Sequence, residues 1–274
     1  MSALVLLAPL LLAQDSPTSA GGSLEAVQLE ALGAVVQRWA DEERIVGAEL
    51  AVLRGETVLF HRGFGWRHRE ERVPMEPGGI FCLRSMTKPI VGAAIQMLID
   101  EGRLAPADAV ARHLPAFDHE DSRAITIEQL LTHTGGLGLS SLVGRDLAAF
   151  TGERALAELI GHEGPAHAPG AGFHYSDDGA DVLGALVELV SELELEAFLR
   201  ARLFEPLGLD DMAGVMTREH PLRARLCSAY AGGPGAWTRY FGPADPPLFP
   251  FLLGSQGLYG SVRDYARFLS LWQG

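Results

Sequence analysis

The sequence predicts an α/β fold of the α+β kind, with an antiparallel hairpin set among helices. Three stretches carry that reading. Residues 28–45, QLEALGAVVQRWADEERI, place apolar side chains at helical spacing. GAELAVLRGETVLFHRGFG then gives two β-rich runs around Arg54-Gly55-Glu56, as an antiparallel hairpin does. From about Met86 to Glu101 the spacing is helical again. Pro89 falls in the first turn of that helix, where a missing N–H costs nothing, and Gly102 supplies the stop.

The other elements follow in order. Pro and Gly at 74–79 break the strand pattern, and LAPADAVARHLPAF reads as a turn with a short helix. ITIEQLLTHTGGL offers Thr126 as the N-cap of a short helix that ends at the Gly135-Gly136 turn. Residues 146–160 read as helical and GHEGPAHAPGAG as a loop. Helices are expected over 178–192 and 195–203, the first capped by Asp177 or Asp178. Residues 231–255 read as irregular, and SVRDYARFLSLWQG as a final amphipathic helix.

With 47% hydrophobic and 21% charged residues, the chain can bury a sizeable core. A net charge of −13 with no basic stripe excludes nucleic acid as the expected partner. The nearly apolar stretch Ala3–Ala13 has the length of a signal-peptide core and is too short to span a bilayer. Residues 1–20 are therefore expected to be a signal peptide. The mature protein would then be periplasmic or secreted, without a stable membrane span. Two cysteines, Cys82 and Cys227, make no disulfide framework and are expected to be buried small hydrophobes.

The chemistry centres on Lys88, the one lysine among 22 basic residues, which stands three residues after Ser85. At a helix start, the macrodipole and partial burial would favour a serine alkoxide and a neutral amine, the needs of a serine nucleophile with its base. The same spacing also fits an N-cap serine followed by a surface lysine, and local chemistry leaves both open. Tyr175, just before the 178–192 helix, is either a phenol that shares a proton with a lysine or a ring packed at a helix entry. His162, His167 and His174 match no zinc spacing despite the nearby Asp177, Asp178 and Asp181. No metal or organic cofactor is expected. His133, in HTGG, reads as a turn residue, and neither Ser255 nor Ser261 sits in a G-x-S-x-G elbow.

IFCLRSMTKPIVGAAIQMLIDEGRLAPADAVARHLPAF, ITIEQLLTHTGGL, FHYSDDGADVLGALVELVSE, LFEPLGLDDM and GLYGSVRDYARFL come in this order along the chain. Together they resemble successive blocks of the serine β-lactamase-related superfamily. That group holds class C β-lactamases, D-aminopeptidases, penicillin-binding proteins and β-lactamase-fold carboxylesterases. The resemblance implies a β-lactamase/penicillin-binding-protein-like sandwich, an antiparallel sheet flanked by helices with a helical subdomain, over residues 25–274. It implies Ser85 as the acylated nucleophile, with Lys88 and Tyr175 as proton acceptors and donors. Asp177 stands at a substrate-binding position where class C enzymes have Asn.

YSDDGADVLG looks more like the esterase branch, so a small-molecule ester is the expected substrate ahead of an amide or a β-lactam. The family's third motif (Lys-Thr-Gly, His-x-Gly or Trp-Gly-Gly) does not appear in a suitable place. The C-terminal strands are therefore expected to be missing. A hydrolase incomplete in this way would have weak activity or none, since each oxyanion donor is worth about 3–4 kcal/mol. The alternative implied is a non-catalytic penicillin-binding-like or partner-binding fragment. Oligomeric state stays open.

Overall fold

The computed structural model describes residues 21–55 and 57–272, so the apolar stretch read as a signal peptide lies outside the described residues. In chain order the elements begin with helix α1 (Gly21–Asp41) and strands β1 (Gly47–Arg54), β2 (Thr57–His68) and β3 (Val73–Pro74). Helices α2 (Thr87–Asp100), α3 (Ile127–Leu131), α4 (Glu153–Glu163), α5 (Asp177–Ser191) and α6 (Leu195–Leu199) follow. Strands β4 (Ala229–Ala231) and β5 (Thr238–Phe241) and helix α7 (Val262–Leu269) come last. The fold is the expected mixture of helices and antiparallel sheet, divided into two compact units.

The first unit takes in the chain up to Phe81, Thr217–Pro246 and the stretch from Gly260. β1 and β2 pair antiparallel from Gly47 opposite Gly65 to Arg54 opposite Thr57, and β3 adds to the other edge of β2. Side chains alternate across β1, as a period of two requires. Ala48, Leu50 and Val52 pack with Val36 of α1, Phe60 and Phe64. On the opposite face Ala51 joins Met75, Phe81, Cys227 and Val262, the first residue of α7. The sheet thus has a helix against each face.

The same opposite face buries Glu49. Its carboxylate accepts the N–H groups of Gly78 and Gly79 at 2.9 and 3.0 Å and lies 2.6 Å from His61 Nε2. β4 and β5 correct the irregular reading of 231–255: Ala229 pairs with Phe241 and Ala231 with Thr238. The sequence hides this hairpin because its strands are short and the intervening residues 232–235 read Gly-Gly-Pro-Gly.

The second unit holds Cys82–Met216 and Pro247–Tyr259. Its axis is α5, in which every residue from Asp178 to Glu188 is buried, with α2, α3 and α4 packed around it. A helix enclosed on all sides reads as apolar on all sides, and ADVLGALV fits that rule except at Asp181. Thr126 caps α3 as expected, and Gln129 closes the capping box. The cap of α5 is Ser176, whose hydroxyl accepts Gly179 N–H at 2.9 Å, rather than Asp177 or Asp178. Asp178 is engaged elsewhere, accepting from Ser141 N and Oγ at 2.7 and 2.8 Å.

Within 146–160 only a 3-10 turn forms over Leu147–Ala149, and α4 starts at Glu153, because Gly152 adopts φ 151° and breaks the helical path. The helix expected over 195–203 stays α-helical to Leu199 and continues as a π-helical turn, Arg200–Phe204. LAPADAVARHLPAF forms two 3-10 turns. Cys82 and Cys227 are free thiols, and burial pushes both away from the reactive thiolate. Among the described residues, no helix is long and apolar enough to cross a membrane.

Candidate active site

Ser85 does not cap α2. It sits, exposed, in the 3-10 turn Arg84–Met86 that feeds into the helix, and no side chain caps either start. The residue before it, Arg84, has φ 51°, a left-handed backbone that a bulky L-residue adopts only under constraint. Arg84 Nη1 donates to Gln256 Oε1 at 3.1 Å, and its guanidinium stands 5.5 Å from the Phe249 ring centre. The backbone around it is tied to the same distant segment. Leu83 N–H donates to Leu258 O at 2.8 Å, and Leu258 N–H to the buried Thr87 hydroxyl at 3.1 Å. The turn that presents Ser85 is therefore held from residues far along the chain.

Lys88, one turn on, has a side chain only 11% exposed. An ammonium carries three N–H donors, and three acceptors surround this one. Asp177 Oδ1 is at 2.6 Å, Ser255 O at 2.9 Å and Ser85 Oγ at 3.4 Å. Asp177 reaches Lys88 because it opens α5, in the first turn after the Ser176 cap. A carboxylate at that position also lies well with the helix macrodipole.

Tyr175 lays its ring 4.9 Å from Lys88 Nζ and 4.6 Å from the His133 ring, with the residue 42% exposed. His133, in the left-handed turn expected of HTGG (φ 55°), accepts Ser176 N–H at Nδ1 over 3.2 Å. Burial, and then the charge of Lys88, hold its imidazole below the ordinary histidine range, and the ring lies tilted by 32° against Tyr175. Beside Lys88 opens a cavity of about 250 Å³, lined by Pro89, Gly92, Leu131, His133 and Leu183 among others.

The structure therefore brings Ser85, Lys88, Tyr175 and Asp177 together. Asp177, expected to meet substrate, is also the ion-pair partner of Lys88. Sequence reading missed that pairing, the Ser255 carbonyl and the place of His133. Asp177 was flagged by standing where related enzymes have Asn, whereas Ser255 contributes a backbone atom and leaves no side-chain signal. His167 and His174 stack on each other, ring centres 3.7 Å apart, and no metal-ligand cluster occurs among the described residues.

A serine and a lysine at the start of a helix, faced by a tyrosine and an acid from the start of a second helix, form the constellation that the sequence blocks imply. A family model described as Beta-lactamase matches residues 32–274. The chain belongs to the Beta-lactamase family. Within it, the chain is 35% identical to Esterase EstB of Burkholderia gladioli, over 90% of this chain and 71% of that protein. Among solved structures of the fold, "EstCE1, a hydrolase with promiscuous acyltransferase activity" superposes with a TM-score of 0.72 at 23% identity. That match covers 90% of this chain and 72% of EstCE1. FmtA from Staphylococcus aureus gives 0.74 at 19% identity, over 95% of this chain and 69% of its own. These structural likenesses support the Beta-lactamase fold and leave the chemistry to the residues.

Proposed function

We propose that this Beta-lactamase family chain is a serine hydrolase that cleaves small carboxylic esters through an acyl-enzyme on Ser85. The observation that carries the reading is the set of three acceptors around Lys88 Nζ, one of which is the Ser85 hydroxyl. In the resting arrangement the ammonium donates to Asp177 Oδ1 over 2.6 Å, a short path for a proton. Passing that proton to Asp177 leaves a lone pair on Nζ. The lone pair accepts the Ser85 hydroxyl proton as Oγ bonds to the ester carbonyl carbon.

Collapse of the tetrahedral intermediate breaks the carbon–oxygen bond, and the departing alkoxide takes the proton held on Nζ. Tyr175, on the rim, relays that proton through its phenol. A water then repeats the sequence on the acyl-enzyme: Nζ removes its proton, the acid departs and Ser85 Oγ regains a hydrogen. The apolar cavity beside Lys88 takes the hydrocarbon part of the ester. The 35% identity to an esterase favours an ester over a β-lactam as substrate.

The test is covalent labelling with a fluorophosphonate, read by mass spectrometry, beside hydrolysis of p-nitrophenyl acetate. Both are expected in the wild-type chain, with the mass added on Ser85. Ser85→Ala is expected to abolish labelling and lower hydrolysis by more than roughly 10³-fold. Hydrolysis at the wild-type rate in a folded Ser85→Ala protein overturns the reading.

A further inference from the structure

Two acids lie directly behind this site, and the mechanism above does not use them. Glu153, the first residue of α4, and Asp181, one turn into α5, are 1% and 0% exposed. Each holds one backbone N–H of the same short segment. Glu153 Oε1 accepts from Gly254 N at 2.7 Å, and Asp181 Oδ1 from Ser255 N at 2.7 Å. Ser255 then turns its carbonyl to Lys88 Nζ at 2.9 Å. A continuous line of hydrogen bonds thus runs from the acids, through one peptide segment, to the amine.

The segment is shaped for close approach. A Cβ on Gly254 would stand 2.4 Å from Ala180 O and 2.9 Å from Glu153 Oε1, so a glycine is needed for the backbone to lie against α5. Gly184 clears the other side, since a Cβ there would stand 2.7 Å from Glu153 Oε1. The outer oxygens, Glu153 Oε2 and Asp181 Oδ2, are shielded from solvent and have no donor at bonding geometry. The two carboxyl groups are close enough for the charge of Asp181 to disfavour a charged Glu153. Two bare carboxylates in such a place repel and lack solvation, whereas one proton between them satisfies both outer oxygens.

We infer that Glu153 and Asp181 are positioning residues for the reaction at Ser85: sharing one proton, they hold Gly254 and Ser255 so that the Ser255 carbonyl fixes Lys88 Nζ on the serine. This rests on the serine-hydrolase reading. Burial, and then the charge of Asp181, raise Glu153 well above the ordinary carboxyl range, and burial raises Asp181 to about 7 against the hydrogen bonds it receives from Ser255. The charged groups facing them are Asp177, Asp178 and Glu188 on α5, Arg154 beside Glu188, and Lys88 on α2. Only Lys88 and Arg154 are positive, and each is paired to another acid, so neither replaces the shared proton.

Glu153→Gln, Glu153→Ala and the wild type decide the matter, using the fluorophosphonate labelling rate of Ser85 against pH. Gln keeps the acceptor for Gly254 N–H and donates an N–H to Asp181 at every pH. Ala removes both. Glu153→Ala is expected to slow labelling roughly tenfold or more, the size of loss that small misplacements of a reacting group cause, with the probe's apparent affinity unchanged. Glu153→Gln is expected to label at the wild-type rate near neutral pH. Its rate relative to wild type should climb as pH rises and the wild-type pair gives up its shared proton, because the amide donates at every pH.

A folded Glu153→Ala protein with the wild-type rate and pH profile overturns the inference. So does a Glu153→Gln protein whose ratio to wild type stays flat with pH, and this variant decides the matter if the alanine protein does not fold. Should wild-type Ser85 take no label, the hydrolase reading falls instead. Infrared spectroscopy then tests the pair alone: a protonated buried carboxyl band is expected in wild type and absent in Glu153→Gln. No such band in wild type means no shared proton.

Discussion

Glu49 in the sheet unit and the Glu153–Asp181 pair in the helical unit are carboxyl groups buried to almost the same degree, at 3%, 1% and 0% exposure. Their surroundings differ in kind. Glu49 is offered two backbone N–H groups and an imidazole, and both of its oxygens are bonded. Each helical-unit acid is offered one backbone N–H and has an outer oxygen, shielded from solvent, without a donor at bonding geometry. A buried acid whose partners are complete holds a loop in place and has no further work to do. A buried pair short of donors keeps a proton, and here that proton sits two hydrogen bonds from the amine that faces Ser85.

The contrast can be broken or sharpened by experiment, and the largest effect is expected at Asp177. Asp177→Asn keeps a hydrogen-bond acceptor for Lys88 and removes the carboxylate that receives its proton. Ser85 labelling is expected to slow on the order of 10²-fold, the lower end for loss of a proton-transfer partner, while the melting temperature barely moves. An unchanged labelling rate would return Asp177 to a purely structural place.

Next comes Glu49→Ala, which strands the Gly78 and Gly79 N–H groups in the core of the sheet unit. At about 1–3 kcal/mol for each unsatisfied donor, a loss of several kcal/mol is expected in urea unfolding. The labelling rate of the folded protein should not change. If it falls, the division between a structural and a chemical acid fails.

The smallest and most diagnostic effect is in pH. Asp181 binds its proton more tightly folded, at about 7, than unfolded, at the ordinary 3.8. Its favourable share of stability is therefore full below the unfolded value and is lost as pH rises through about 7. His68, His113 and His133 are held low by burial and oppose it, since their share is lost as pH falls. A difference measurement isolates the acid. Between about pH 5 and about pH 8, the decline in melting temperature with rising pH is expected to be shallower in Asp181→Asn than in wild type. Parallel curves would remove Asp181 as the titrating group.

Local chemistry made some of this legible in advance. Thr126 announced the cap of α3, and GAELAVLRGETVLFHRGFG announced the β1–β2 hairpin. Where the reading failed, a neighbouring residue outcompeted the expected one. Ser176 caps α5 because its hydroxyl reaches Gly179 N–H, while Ser141 draws Asp178 aside and Lys88 draws Asp177. The β4–β5 hairpin stayed hidden because strands of three and four residues carry too few alternations to register.

By itself the sequence determined that Ser85 and Lys88 are neighbours: three residues apart at the start of a helix, they share a face whatever the rest of the chain does. It also determined the order of blocks that marks the Beta-lactamase family. Only the tertiary structure decided what Lys88 touches. Its other two partners are 89 and 167 residues away, and one of them is a backbone carbonyl that any residue type could present. Helical spacing acts over a single turn, whereas the orientation of an amine with three donors depends on acceptors that packing brings in from elsewhere.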